Sequence, residues 1–190
     1  MLDALASSAL HERTAVVFTA DHGEAFGEHG KAFHGSEVWD EIVRIPLAVA
    51  VPGARPRRIS RRVSAVDVAP TILELAGLPE DEGARGRSLV PELAGRDLPE
   101  RPVLVDQPHN PYYVTRRAYI EGDYKLHHYP ESQTYRLFDL AHDPSESRDL
   151  VPGNPEILQR VQTSYDSFMA TVPQVTPRAI APWPPKPATR

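Results

Sequence analysis

The sequence predicts an α/β protein: part of a parallel-sheet α/β sandwich, followed by a small antiparallel sheet and a C-terminal helix. Three observations predict it. Two apolar runs, Ala15-Val16-Val17-Phe18 and Ile45-Pro46-Leu47-Ala48-Val49-Ala50-Val51, lack polar alternation, as strands buried on both faces do. From about Pro102 the texture changes to short, turn-punctuated segments rich in Tyr and β-branched residues. Near the end, Asn154-Pro155-Glu156 opens a helix with cap, N1 proline and an acid at the positive helix end.

The elements follow in order. Leu2, Leu5, Ala9 and Leu10 share one helical face, so 2–11 is expected as a short amphipathic helix. The strand 15–20 comes next, then a Gly-rich loop and a short helix at 38–42. Strand 45–51 carries Pro46 near its start, where a missing N–H is tolerated, and Pro52-Gly53 ends it. The basic stretch Arg55–Arg62 reads as a solvated loop and edge strand. Pro70 and Gly77 bracket a helix whose expected core face is Ile72, Leu73, Leu75 and Ala76. Strands are expected at 103–106, 112–120, 124–129 and 135–138, with Glu121-Gly122-Asp123 as a hairpin turn. The last helix presents Ile157, Leu158, Val161, Tyr165, Phe168 and Met169 on its apolar face. This divides the chain into residues 1–101, residues 102–172 and a Pro-rich tail, 173–190, expected to be extended or disordered.

Composition sets bounds. At 190 residues the chain fills one domain or a little more. A formal net charge of −5 gives no electrostatic case for nucleic acid. Zero Cys excludes disulfides and thiolate metal sites. The first residues lack a basic n-region and a long apolar core, so no secretory signal is read there. No stretch approaches the ~18–20 apolar residues of a membrane span.

The chemistry gathers just past the first strand, where open α/β sheets place their ligands. There stand Asp21-His22-Gly23-Glu24, Gly27-Glu28-His29-Gly30 and Phe33-His34-Gly35. Each residue alone has an ordinary reading: Asp21 as a cap or turn residue, His29 and His34 as solvated loop residues. Together they put three His and several carboxylates into one loop whose glycines permit close backbone approach to a ligand. His127-His128 lies on a predicted hairpin strand, where neighbours face opposite sides, and surface exposure is the default.

These motifs, with Trp39-Asp40-Glu41-Ile42-Val43-Arg44-Ile45-Pro46-Leu47, resemble the sulfatase family of the alkaline phosphatase superfamily. Three further segments match it in order: Val66–Gly77, Gly86-Arg87-Ser88-Leu89, and Leu137–Glu146 ending at Asp149-Leu150. The resemblance implies an alkaline-phosphatase-like fold and a sulfuric ester hydrolase acting on small-molecule or glycan sulfate esters. It makes Asp21 and His22 metal ligands, His34 a catalytic and substrate-binding group, and His29 a substrate-binding candidate. One divalent metal is implied: calcium by family, with manganese, zinc or magnesium admitted because His22 stands where many members have Asn. The same departure gives weight to phosphodiester or phosphonate hydrolases, or phospho-headgroup transferases, of the superfamily.

The family's formylglycine nucleophile arises in a Cys/Ser-x-Pro-x-Arg motif, which this sequence lacks. The resemblance therefore implies a carboxyl-terminal portion that needs an N-terminal half to complete the site and is inactive alone. A non-catalytic truncated scaffold is the reading from a different class. For location, the resemblance is compatible with a periplasmic, membrane-anchored or cytoplasmic relative.

Overall fold

A computed structural model describes residues 2–109 and 111–173; the tail expectation for 174–190 lies outside the described residues. Helix α1 spans Leu2–Ala6 and stops short of the expected end. The hydroxyls of Ser7 and Ser8 donate to Asp3 O and Leu5 O, at 2.9 Å each. Such local bonds compete with helix continuation.

Strand β1 (Val16–Thr19) pairs with β4 (Leu47–Ala50), Val16 opposite Ala50 and Thr19 opposite Leu47. The pairing is antiparallel, whereas the apolar runs were read as parallel-sheet strands. An unbroken apolar run reports burial on both faces and carries no information on direction. The described residues also leave these strands open: Phe18 is 62% exposed. Between them lie the two-residue strands β2 (Ala25–Phe26) and β3 (Ala32–Phe33) and the short helix α2 (Asp40–Val43).

Helix α3 (Val68–Leu75) follows a capping box in which Ser64 and Asp67 exchange bonds. Its buried residues are Pro70 and Thr71, while Ile72 of the expected core face is 46% exposed. The helix is oriented by polar anchors instead. Thr71 Oγ1 donates to Asp67 O and accepts from Leu89 N–H. The buried Asp67 carboxylate accepts from Ser64 and Arg87 N–H and from the Arg101 guanidinium. These contacts also place α4 (Val90–Leu93). The basic stretch is partly tied down: Arg61 pairs with the buried Glu92, and Arg57 with Asp97.

The second half is a meander in the order β5 (Val103–Gln107), β6 (Arg116–Glu121), β7 (Tyr124–Tyr129), β8 (Thr134–Asp139), antiparallel throughout. Helix α5 (Pro155–Met169) packs Val161 and Tyr165 against Tyr119, Leu126 and Leu137. Pro155 holds N1 as predicted, but Asn154 makes no side-chain cap and donates to Leu150 O. The opposite sheet face carries Ile120 and Phe138, which pack with Trp39 and Leu140.

Both sheet faces are therefore covered. His127 and His128 point to opposite sides, as strand geometry requires, yet both are buried rather than on the surface. His128 Nδ1 meets the Tyr165 hydroxyl at 2.8 Å on the helix side. Among the described residues no helix is long and apolar enough to cross a membrane.

Candidate active site

Strand β1 delivers the site loop. Thr19 Oγ1 donates to Pro46 O at 2.8 Å, tying the strand end to the start of β4. Two residues on, Asp21 is almost fully exposed and accepts the His22 N–H at 3.0 Å. Backbone N–H donation, from His22 first, holds the Asp21 carboxyl below the usual range, so it is ionised at neutral pH.

Gly23 fixes where this segment sits. Its N–H donates to Ile42 O at 2.7 Å. A Cβ there would lie 2.1 Å from Glu41 O, so only glycine lets the loop lie against α2.

His22 Nδ1 is 2.8 Å from Gly23 O. A carbonyl only accepts, so Nδ1 carries a proton, and in the neutral ring Nε2 is the nitrogen with the lone pair. Nε2 lies 3.6 Å from Asp21 Oδ2. The His34 ring stacks on His22, centroids 3.8 Å apart, and its Nδ1 is 3.2 Å from Glu24 Oε2. Asp21, His22, His34 and the orienting Glu24 thus come together. Glu28 accepts the Phe26 N–H at 2.6 Å and closes the β2–β3 turn.

His29 is placed differently. Its ring stacks on Trp39 at 3.8 Å, the two planes nearly parallel. Nδ1 is 2.9 Å from Glu41 Oε1, and Nε2 is 3.3 Å from Glu146 O. Partial burial pulls its pKa down, but the Glu41 carboxylate outweighs that and the net shift is upward. Both ring nitrogens have protein partners, and the ring joins the site loop to the antiparallel sheet.

Behind it lies a buried polar network. Lys125 Nζ contacts Asp40 Oδ1 at 2.7 Å and Glu146 Oε1 at 2.9 Å. His127 Nε2 also meets Glu146 Oε1 at 2.9 Å, and Asp40 N–H donates to Glu146 Oε2 at 2.7 Å. Asp40 is thus a structural ion-pair residue. Glu146 ends the Asp143-Pro144-Ser145-Glu146 run, so that motif was the available signal for this bracket. Nothing in the sequence singles out Lys125.

The donor chemistry suits a cation at the strand end. Asp21 is ionised, and the neutral His22 ring, with Nδ1 donating to Gly23 O, has Nε2 as its ligating nitrogen. These are two donor groups. Among the described residues no group of three or more His, Cys, Asp or Glu side chains is arranged to hold a metal.

Residues 1–78 match the family model Sulfatase. The chain is 30% identical over 179 residues to the Δ4,5-hexuronate-2-O-sulfatase of Bacteroides thetaiotaomicron, covering 89% of this chain and 37% of that protein. The matched relatives align through their C-terminal portion. A solved 2-O GAG sulfatase superposes with a TM-score of 0.81 at 27% identity, over 89% of this chain and 39% of that one. The phosphonate monoester hydrolase of Silicibacter pomeroyi shares the fold, with a TM-score of 0.76 at 20% identity, over 89% of this chain and 37% of that one.

Proposed function

We propose that this chain, whose sequence and fold are those of the sulfatase family, contributes the metal-ligand and leaving-group side of a sulfate ester hydrolase. The observation that carries the proposal is the cluster at the end of β1: ionised Asp21, the free Nε2 of His22, and the His34 ring stacked on His22. The chain spans little more than a third of the relatives it matches. The nucleophile and further metal ligands then come from sequence outside it. Residues 1–101 act as part of the catalytic α/β domain and residues 102–172 as the subdomain that braces it. The open β1–β4 strands, with Phe18 exposed, are where the remaining catalytic segment packs.

Asp21 and His22 would hold one divalent ion, calcium by family preference, with manganese, zinc or magnesium accepted because of the imidazole. When bound, such an ion stabilises negative charge on the ester oxygens and lowers a hydroxyl pKa. Gly23 holds both ligands at a fixed distance from α2. Glu24 orients the His34 ring, and His34 donates a hydrogen bond or a proton to the ester's leaving oxygen. His29 contributes to substrate binding by fixing the far side of the loop.

A phosphonate or phosphodiester hydrolase is the second reading, favoured by the nitrogen ligand His22. Assaying the complete protein on matched aryl sulfate and aryl phosphonate monoesters tests both. Faster sulfate hydrolysis is expected, with no turnover by this 190-residue chain alone. Preference for the phosphonate would establish the second reading. Metal-dependent turnover by the chain alone would overturn the division of the site, and no turnover by the complete protein would leave a non-catalytic scaffold.

A further inference from the structure

The β2–β3 hairpin carries Glu24 and His34 at its base and His29 at its tip. Glu24 precedes β2, His34 follows β3, and the two meet with His34 Nδ1 3.2 Å from Glu24 Oε2. The hairpin holds itself weakly. Its ladder consists of Ala25 opposite Phe33 and Phe26 opposite Ala32. A lone ribbon of that length is not stable in water. Ala25 is buried, but Phe26 and Phe33 are exposed and add little apolar burial. The Lys31–Glu37 ion pair, at 3.0 Å, uses a lysine that is 43% exposed, and such pairs contribute little.

His29 supplies what the ladder lacks. Both of its ring nitrogens face oxygens that only accept: Glu41 Oε1 at 2.9 Å and the Glu146 carbonyl at 3.3 Å. A neutral imidazole has one N–H and would turn a lone pair on one of them. The doubly protonated ring satisfies both, and its charge lies flat on the Trp39 indole. Trp39 is seated in turn on the antiparallel sheet, against Ile120 and Phe138.

We infer that the protonated His29 ring is a pH-operated clasp, which holds the β2–β3 hairpin and its Glu24–His34 pair against the sheet and releases them when the proton is lost. That release lowers turnover only on the ester-hydrolase reading of His34. The charges around the ring fit the clasp. Glu28 on the hairpin, Glu41 on α2 and Glu146 after β8 all favour the cation. On the sheet side stand Lys125 and His127, both bound to Glu146, and Arg136, 5.8 Å from the Trp39 ring. Asp40 answers Lys125. Above about pH 6.5 the carboxylates, Lys125 and Arg136 keep their charge. Burial holds His127 neutral there, so His29 is the member of this cluster whose charge changes.

Hydrogen–deuterium exchange over residues 25–35 of the complete protein, corrected for intrinsic rates, reads the clasp from about pH 6 to 9. Wild-type protection should fall about 10- to 100-fold with rising pH, the value of one charge-assisted hydrogen bond. Glu41→Gln separates the clasp from a merely structural contact. Its amide accepts from Nδ1–H or, turned over, donates to a bare Nδ1, so a neutral ring stays held. Protection in that variant should be flat across the range, and His29→Ala should be unprotected throughout. No fall in wild type, or the same fall in Glu41→Gln, overturns the inference.

Aryl sulfate kcat/KM in the same proteins reads whether the release reaches His34. The alkaline fall in wild-type activity should move to higher pH in Glu41→Gln, and an unmoved fall overturns the regulation. If the complete protein turns over no ester, the reading of His34 fails, while exchange still decides the clasp.

Discussion

Lys125 and Glu146 form an ion pair in which both side chains are wholly removed from solvent, 2.9 Å from Nζ to Oε1. Lys125 lies on β7, and Glu146 in the turn after β8. Asp40 at the start of α2 shares the same lysine. The pair therefore bolts the antiparallel sheet to the segment that holds the site loop through Gly23. Burying charge is expensive, and here each carboxylate oxygen of Glu146 has a donor: Lys125 and His127 on one, the Asp40 N–H on the other.

Breaking this pair from one side should be costly. Lys125→Met leaves Glu146 and Asp40 without their common cation, at a cost of about 3–5 kcal/mol. Urea denaturation of the variant against wild type measures it. A loss below about 1 kcal/mol would show that water replaces the lysine and that the pair does not hold the two parts together.

The network also sets a pH dependence. Burial holds His127 neutral, with its pKa below the usual 6.5. Its contribution is complete above about pH 6.5 and fades as pH falls toward the depressed folded value. For Glu146, burial pushes the pKa up, but the His127 and Lys125 contacts outweigh that and the net shift is below 4.5. Its contribution is complete above about pH 4.5 and is lost as pH falls through the folded value. His29 runs the other way. Its pKa is raised above 6.5, so its contribution is complete below about pH 6.5 and is lost as pH rises through the folded value. Denaturation midpoints between pH 3 and 9 should show decline on the acid side. His127→Gln should remove the component that begins near pH 6.5 and leave the one below 4.5. Identical curves for variant and wild type would refute the assignment.

Gly23→Ala should disturb the site without altering either proposed metal ligand. The new methyl meets the Glu41 carbonyl at 2.1 Å, and backbone cannot swing aside as a side chain can. Overpacking of this kind costs about 1–3 kcal/mol, with displacement of Asp21 and His22. Thermal melts with metal titration of the complete protein check both effects. Wild-type metal affinity in the variant would mean that the loop does not depend on α2 for its position.

Much of the site was legible because Asp21, His22 and His34 lie within one loop, and local sequence fixes their proximity. The meander was legible for the same reason: β6, β7 and β8 are joined by short turns with clear signals, and their observed spans differ from expectation mainly by the loss of residues 112–115. What failed depended on distant partners. Alternation along Tyr124–Tyr129 puts Lys125 and His127 on one face, but only Asp40, 85 residues away, and Glu146 make that face a buried one. Thr71 outranks Ile72 in α3 because Leu89 and Asp67 anchor it, and neither contact leaves a trace in helical periodicity. The direction of β1 against β4 was invisible for a related reason, since an apolar run specifies burial and not polarity of the chain.

Asp21 and His22 are proposed to hold the metal while His34 serves the ester. Metal content by mass spectrometry, measured beside aryl sulfate kinetics for Asp21→Ala, His22→Ala and His34→Ala in the complete protein, separates the two roles. Asp21→Ala and His22→Ala should lose metal and activity together. His34→Ala should keep its metal and lose about 10²–10⁴-fold in turnover, the usual value of one acid or charge-stabilising donor. Loss of metal in His34→Ala with retention in His22→Ala would contradict the account and exchange the roles of the two stacked rings.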